Sequence, residues 1–580
     1  MDPFATYVPA PLPAHSVGLA LSGGGFRAAF FHIGLLACLA ELDILRQVDA
    51  ISTVSGGSIV GTLYYLHVKR LLEGKPDPTH APGPEAVSRQ DYVDIVQRIE
   101  RDFLRSVQEN LRVRTFTNLV KTLRMAVGEG YSTSDRMSEL FDAYFYSPVR
   151  GSASGRIPMR DLHIIPAGDP HGSAFDPMKH NGGRFAKVPM LFINATSLNT
   201  GRRWLFTPSW MGEESFNEAD NNTHLDGCYY DDAPEPKYQD LPVGVAVGAS
   251  AAVPGIFPPL PFTDLYPGWT VQLVDGGVFD NQGVATLEDR ACSIIIASDG
   301  SGQMTDHEHP SPAVVNSLTR TNDVLMDRIR DRQVGGMLER KRLKRGAVIH
   351  LRDGLRVRTV RPGKASDPGG PFQTIYGIAS GIQRDLSLVR TDLDTFCDVE
   401  ADALMANAYR IAERSIDAGG LGLTTAPLVR APWRFAWILT DLEKPESDIW
   451  IASILSAARF QFFRTVLIIP RVRVALAAIG LVAVVTVAAV AFMNRSEPVW
   501  ATADLTPAQE WVRGLTWGGL IGSLVVLAAS PFVGGFTRGK ADWARFVGFG
   551  ILGIVVWVIA WAHLLLVDPL FKRVGRRRST

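Results

Sequence analysis

The sequence predicts an α/β domain on a parallel sheet, followed by a C-terminal helical membrane region. Two observations lead there. Short apolar runs that end in glycine turns and continue as helical runs occur twice near the start of the chain. Three long uncharged stretches crowd its end. At 580 residues the chain exceeds one ordinary domain, so a large core with additions is expected.

The first unit is SVGLAL, then a glycine turn at 23–25, then AFFHIGLLACLAEL as a helix. The second is VDAISTV, then SGG, then SIVGTLYYLHVKRLL. Strand–turn–helix repeated in tandem is the pattern of a parallel sheet. Residues 16–300 are the expected core, with a helical insertion at about 85–150 that breaks near Gly128 and Gly130. Within it, QDYVDIVQRIERDFLRSVQENL carries apolar residues at helical spacing. Residues 301–470 read as an extension and linker, and 471–580 as the membrane region.

The three uncharged stretches are Val474–Met493, Gly514–Phe536 and Phe546–Val567. Each has the roughly 20 residues that cross a bilayer core, and Trp500, Trp511 and Trp543 flank them as interfacial residues do. The N-terminus has no basic region leading into a long apolar run and does not read as a signal peptide. The expectation is an integral membrane protein with a cytoplasmic catalytic domain. Ser530-Pro531 and several glycines break the second stretch, which leaves two or three full crossings open.

Lys plus Arg and Asp plus Glu both total 59, so overall charge gives no case for nucleic-acid binding. Cys38, Cys228, Cys292 and Cys397 are scattered without a CxxC pair, which suggests neither a disulfide framework nor a zinc site. Arg328–Arg345 holds eight basic and two acidic residues, a solvated helix face or a strip near anionic headgroups.

Two strand-end turns carry candidate chemistry. In Ser22-Gly23-Gly24-Gly25-Phe26-Arg27 a helix N-terminus offers unpaired N–H groups to an anion. Those groups fit an oxyanion hole, a dinucleotide site of GxGxxA type, or a plain tight turn. Thr53-Val54-Ser55-Gly56-Gly57 resembles a nucleophile elbow, with Thr53 where the usual motif has glycine. A dinucleotide fold wants an acidic residue where Val54-Ser55 stands, which disfavours that reading. A third apolar strand ends in Asp275-Gly276-Gly277, and Asp299-Gly300 after SIIIAS looks similar.

Taken together these segments resemble the patatin-like phospholipase family. GGGFR is similar to its oxyanion loop, STVSGGS to its nucleophile elbow and DGG to its catalytic aspartate block, with Gly248–Pro259 similar to the segment before that aspartate. The resemblance covers roughly residues 16–300. It implies a three-layer α/β/α fold and a lipid acyl hydrolase acting on membrane lipid. It also implies a dyad of Ser55 and Asp275, an oxyanion and substrate site at Gly23, Gly24, Gly25 and Arg27, and no cofactor or metal. Arg27 would hold the loop, meet a lipid phosphate or form a surface salt bridge. One rival is a Ser–Asp–His α/β-hydrolase using His307, His309 or His350, though Ser55 follows only two recognisable strands, too early for that fold. Another is a lipid-binding or scaffolding protein on an inactive hydrolase fold. His307-Glu308-His309 sits in a polar loop with Pro310 and reads as solvated rather than as a metal pair.

Overall fold

Ten strands form one sheet among the described residues: β1 (Val17–Leu21), β2 (Val48–Val54), β3 (Met190–Ser197), β4 (Arg203–Phe206), β5 (Trp210–Glu213), β6 (Cys228–Tyr229), β7 (Leu260–Tyr266), β8 (Trp269–Asp275), β9 (Ile294–Asp299) and β10 (Arg345–His350). The computed structural model describes residues 15–577 except 128–129, 152–154, 214–222, 302–305, 307, 340–344, parts of 357–371, 445–448 and nearly all of 461–555. Residues 1–461 and 553–580 make one compact unit and 462–552 a second; the sheet belongs to the first.

The sheet is mixed. Strands β10-β9-β1-β2-β3 run parallel in that order, and β4, β5 and β6 continue antiparallel beyond β3. Every residue of β1, β2 and β9 is buried, as parallel strands covered on both faces require. Leu21 pairs with Thr53 on one side and Ser298 on the other, so the turns after β1, β2 and β9 leave the sheet at one edge.

The hairpin β7–β8 adds a strand the tandem pattern does not foretell. β8 lies antiparallel to β3, with Asp275 opposite Ala195, while β2 lies parallel to β3 with Val54 opposite Asn194. The C-terminal ends of β2 and β8 therefore meet across two adjacent residues of β3. That convergence brings Ser55 and Asp275 together from 220 positions apart in the chain.

Helix α1 (Gly25–Glu41) follows β1 and is buried along almost its whole length. Helix α2 (Gly56–Gly74) follows β2. Helix α3 (Arg89–Val107) opens the insertion with a capping box between Ser88 and Asp91 and carries Phe103 inward. The insertion then breaks, with Gly130 at φ 68°, before the helix Thr133–Phe141. From the extension, the helix Asp398–Ser415 packs on α1, and a Cβ on Gly34 would run into the Met405 backbone.

Five phenylalanines seal these pieces behind the glycine turn. Phe26 and Phe30 of α1 meet Phe103 of α3 edge-on at 5.8 and 5.3 Å, Phe103 stacks on Phe145 at 4.9 Å, and Phe396 contacts both α1 rings at 6.4 and 5.4 Å. Phe103 is fully buried at the centre.

The expected integral membrane localisation is corrected. Among the described residues no helix is long and apolar enough to cross a membrane. The stretches 474–493 and 514–536, and 546–555 of the third, lie outside the described residues. The described end of the third stretch, together with the residues that follow it, is bonded within the first unit. Trp557 Nε1 donates to the Thr117 carbonyl at 2.9 Å, Asn110 Nδ2 to Asp568 at 2.8 Å, Lys572 Nζ to the Gln108 carbonyl at 3.0 Å, and Val399 N to the Gly575 carbonyl at 3.2 Å. It passes through a π-helical turn at His563–Val567 into Asp568–Val574, whose charges end the apolar run. Polar groups bonded to a folded unit make this segment part of that unit.

Replacing Phe103 by alanine should cost about 3–5 kcal/mol, the usual loss for a large buried ring. Urea unfolding of the variant would measure it; a loss under about 1 kcal/mol would show that the cluster does not bind the insertion to α1.

Candidate active site

Ser55 sits where β2 gives way to α2, with φ 51° and ψ −118°. An L-residue held there costs about 1–3 kcal/mol, so surrounding bonds must enforce the turn. Ser55 N donates to Ser250 Oγ at 2.9 Å. Ser250 Oγ lies 2.8 Å from Ser58 Oγ, Ser58 donates to Thr53 Oγ1 at 3.0 Å, and Thr53 donates to the Phe192 carbonyl at 3.1 Å. With Ser58 and Thr53 spending their protons down this line, Ser250 donates to Ser58 and accepts from Ser55. Thr53, the departure from the usual elbow, is thus a working link, and its methyl lies where Gly61 leaves room on α2.

The glycine turn lies against this elbow. Gly57 N donates to the Ser22 carbonyl at 3.1 Å, and a Cβ on Gly56 would collide with the Gly25 carbonyl. Gly24 and Gly25 have φ 134° and 59°, values a side chain would oppose. Gly23 N is taken by the Asn281 carbonyl at 2.9 Å, so Gly23 contributes room beside Ser55 rather than an N–H. The N–H groups of Gly24, Gly25 and Gly56 find no acceptor among the described residues. Gly56 is buried and Gly24 and Gly25 are half-buried at the cleft, and three such N–H groups beside one hydroxyl make a site for an anion.

Asp275 Oδ1 accepts the Gly277 N–H at 2.7 Å, while Oδ2 is buried with no hydrogen-bond partner among the described residues. Burial pushes the carboxyl up to about 6, against the opposing pull of the neighbouring Ser55 side chain and the Gly277 N–H. Two other aspartates near strand ends are spent differently. Asp280 accepts the N–H groups of Gln282, Gly283 and Ala285 at 3.0, 3.0 and 2.7 Å. Asp299 accepts Ser301 N at 3.0 Å and Arg330 Nε at 2.7 Å. Asp275 alone of the three keeps an oxygen for Ser55.

Ser55, Asp275, Gly24 and Gly25 line one open cleft of about 980 Å³. Val253, Pro254, Ile256 and Phe257 make part of an apolar wall, and Leu318 and Ser387–Leu393 of the extension line it too. Ile256 and Val278 are exposed at 54% and 37%. No histidine is among the lining residues described.

Residues 19–287 match the family model described as patatin-like phospholipase. A search of curated proteins found no match. Among solved structures, human GIVD cytosolic phospholipase A2 in complex with methyl gamma-linolenyl fluorophosphonate inhibitor and terbium chloride is 12% identical. The match covers 70% of this chain and 59% of that one, at a TM-score of 0.35. VipD from Legionella pneumophila is 12% identical over 98% of this chain and 89% of that one, at a TM-score of 0.26. The chain thus spans under two thirds of the human protein, and likenesses at these scores carry no argument about the site.

Other expected residues of the matched stretch and the extension fall variously. Arg27 is buried, not a surface ion pair: Nε donates to the Gly300 carbonyl at 3.2 Å and Nη1 to the Val389 carbonyl at 2.6 Å. Burial lowers it to about 10, opposed by Asp299. It ties α1 to the extension while bordering the cleft. His309 is exposed, His307 lies outside the described residues, and His350 ends β10, 3.7 Å from Asp353. Gly56, Ser250 and Asp392 escaped the sequence reading. The residue after an elbow nucleophile is a known source of an oxyanion N–H, which could have flagged Gly56; Ser250 lies in the singled-out segment Gly248–Pro259 without a role assigned to it, and nothing local marks Asp392.

The raised Asp275 has a consequence for stability. Its folded value, about 6, exceeds the roughly 3.9 of an unfolded aspartate. The folded state holds the proton more tightly, so this contribution is whole below about pH 3.9 and lost as pH rises through 6. The difference is about 3 kcal/mol at pH 8. Asp275→Asn, neutral throughout, should match the parent near pH 4 and exceed it by up to about that amount at pH 8 in denaturant unfolding. A pH-independent difference would show that Asp275 ionises normally.

Proposed function

We propose that this protein is a serine lipid acyl hydrolase of phospholipase or lysophospholipase type, with Ser55 as nucleophile and Asp275 as its base. One observation carries the reading: the unpartnered, buried Asp275 oxygen stands beside a strained serine, and three unpaired N–H groups converge there at an apolar cleft. The patatin-like family match over 19–287 supports the lipid ester as substrate.

In this mechanism Ser55 Oγ attacks the ester carbonyl as its proton passes to Asp275. The carbonyl oxygen becomes an oxyanion held by N–H groups of Gly24, Gly25 and Gly56, each donor contributing about 3 kcal/mol in comparable sites. Asp275 then gives the proton to the departing alcohol oxygen, leaving the acyl group on Ser55. Water attacks that ester with Asp275 again accepting the proton, Asp275 passes the proton to Ser55 Oγ as the C–Oγ bond breaks, and the fatty acid leaves. A carboxylate of ordinary pKa is a feeble base at neutral pH; burial that lifts Asp275 to about 6 makes it a better one while leaving it mostly ionised.

The absence of histidine from the described lining favours this dyad over a triad. Ser55→Ala and Asp275→Asn should each remove all but about a thousandth of lipid ester hydrolysis, with the double variant little worse, because coupled groups are non-additive. A serine-directed fluorophosphonate should label the parent and not Ser55→Ala. Near-parental turnover by Asp275→Asn would break the dyad; a parent inert to probe and ester alike would leave a lipid-binding protein on a hydrolase fold.

Activity should rise with pH through about 6 as Asp275 ionises. A kcat/KM profile on a neutral ester would place the inflection, and an inflection absent between pH 5 and 7 would remove Asp275 as the titrating base.

A further inference from the structure

The segment Ser387–Leu393 lies beyond the family match, yet it forms a wall of the cleft directly behind the glycine turn. Its contacts there are mostly backbone to backbone. Phe26 N, the first N–H of α1 after the two glycines, donates to the Asp392 carbonyl at 3.0 Å. A Cβ on Gly25 would lie 2.8 Å from that same carbonyl oxygen and 3.0 Å from Asp392 N. The strap therefore touches Gly25 flush and sets where the neighbouring N–H groups point.

Arginines hold the strap from both ends. Arg27 takes the Val389 carbonyl at its start. At its end, Arg112 of the helical insertion pairs with the Asp392 carboxylate, and Arg112 N donates to the Leu393 carbonyl at 3.3 Å. The other Asp392 oxygen accepts Leu393 N at 2.7 Å, which folds the carboxylate back toward its own backbone. The Asp392 side chain is 7% exposed and that of Arg112 31%, so this pair is partly shielded, unlike the loose ion pairs of a protein surface.

We propose that the Arg112–Asp392 pair is a positioning device for the oxyanion site: the insertion, through this pair, presses the strap against Gly25 and fixes the Gly24 and Gly25 N–H groups. The proposal rests on the dyad reading above. Neither residue touches substrate; both act through the glycine turn. Losing the pair lets the donors drift; because donors held in position stabilise the transition state more than the bound ground state, their displacement lowers kcat and leaves KM near the parental value.

The experiment is a double-mutant cycle on the full chain with Arg112→Ala, Asp392→Asn and both together, plus Arg112→Lys. Each single variant should lower kcat about tenfold with KM near the parental value, and the double should be no worse than either single. Arg112→Lys should recover most of the loss. Fluorophosphonate labelling of Ser55 should slow in step, and the pH inflection should stay in place because Asp275 is untouched. Parental kcat in both single variants overturns the proposal. So does a kcat loss that follows a fall in melting temperature, which would make the pair a stabilising contact only. Failure of the reading it rests on looks different: Asp275→Asn would keep near-parental turnover, or the parent would be inert to probe and ester alike.

Discussion

Two glycine turns pressed together, backbone on backbone, are the contact on which the site depends. The turn after β1 and the turn after β2 can approach only because Gly56 and Gly57 have no Cβ to strike the Gly25 and Leu21 carbonyls. The Gly57 N–H to Ser22 carbonyl bond closes that approach at 3.1 Å. Once closed, the N-termini of α1 and α2 both face the cleft beside one hydroxyl. Parallel register sets this up, since Leu21 and Thr53 end their strands side by side. Any side chain at Gly56 would force the two helices apart and scatter the N–H groups.

A second constraint is the burial of one carboxyl. Asp299 and Asp280 show what the fold does with an aspartate it wants charged: it surrounds each with donors. Asp275 has a single N–H donor and an idle oxygen. Desolvation lifts its pKa, which weakens the folded state at neutral pH and strengthens the base. In the proposed mechanism, stability is given up at one residue for reactivity, a common trade where strain and unpaired groups gather. The strained Ser55 beside it belongs to the same trade. Ser250 stands on both sides of it, taking the Ser55 N–H on its hydroxyl and the Gly276 N–H on its carbonyl at 3.3 Å.

The residues beyond the family match are woven into the same unit. β10 extends the sheet parallel to β9, the helix Asp398–Ser415 covers α1, and the strap Ser387–Leu393 backs the glycine turn. The insertion reaches round to the strap and to the described C-terminal segment, through Arg112 and Asn110, two residues apart. The C-terminal stretch reads as membrane-spanning when only hydropathy is weighed. In its described portion, indole and ammonium groups find carbonyl partners on the insertion, which hydropathy cannot register.

The sequence by itself determined the local pieces. Apolar runs meeting Gly23-Gly24-Gly25 and Ser55-Gly56-Gly57 specify two strand–turn–helix units, because period, turn chemistry and helix start are written within a few residues. It also singled out Asp275, by its resemblance to a catalytic aspartate block, although Asp299 ends a strand in similar local surroundings. Only the tertiary structure shows how the two differ, by placing β8 antiparallel to β3 so that its end meets the end of β2, and by filling the lone pairs of Asp299 with Arg330 and Ser301. The same holds for Ser250 and Asp392, whose positions near Ser55 and Gly25 come from chain closures spanning 195 and 367 residues. Burial, pKa and the choice of which N–H stays unpaired are properties of such closures, and no window of sequence contains them.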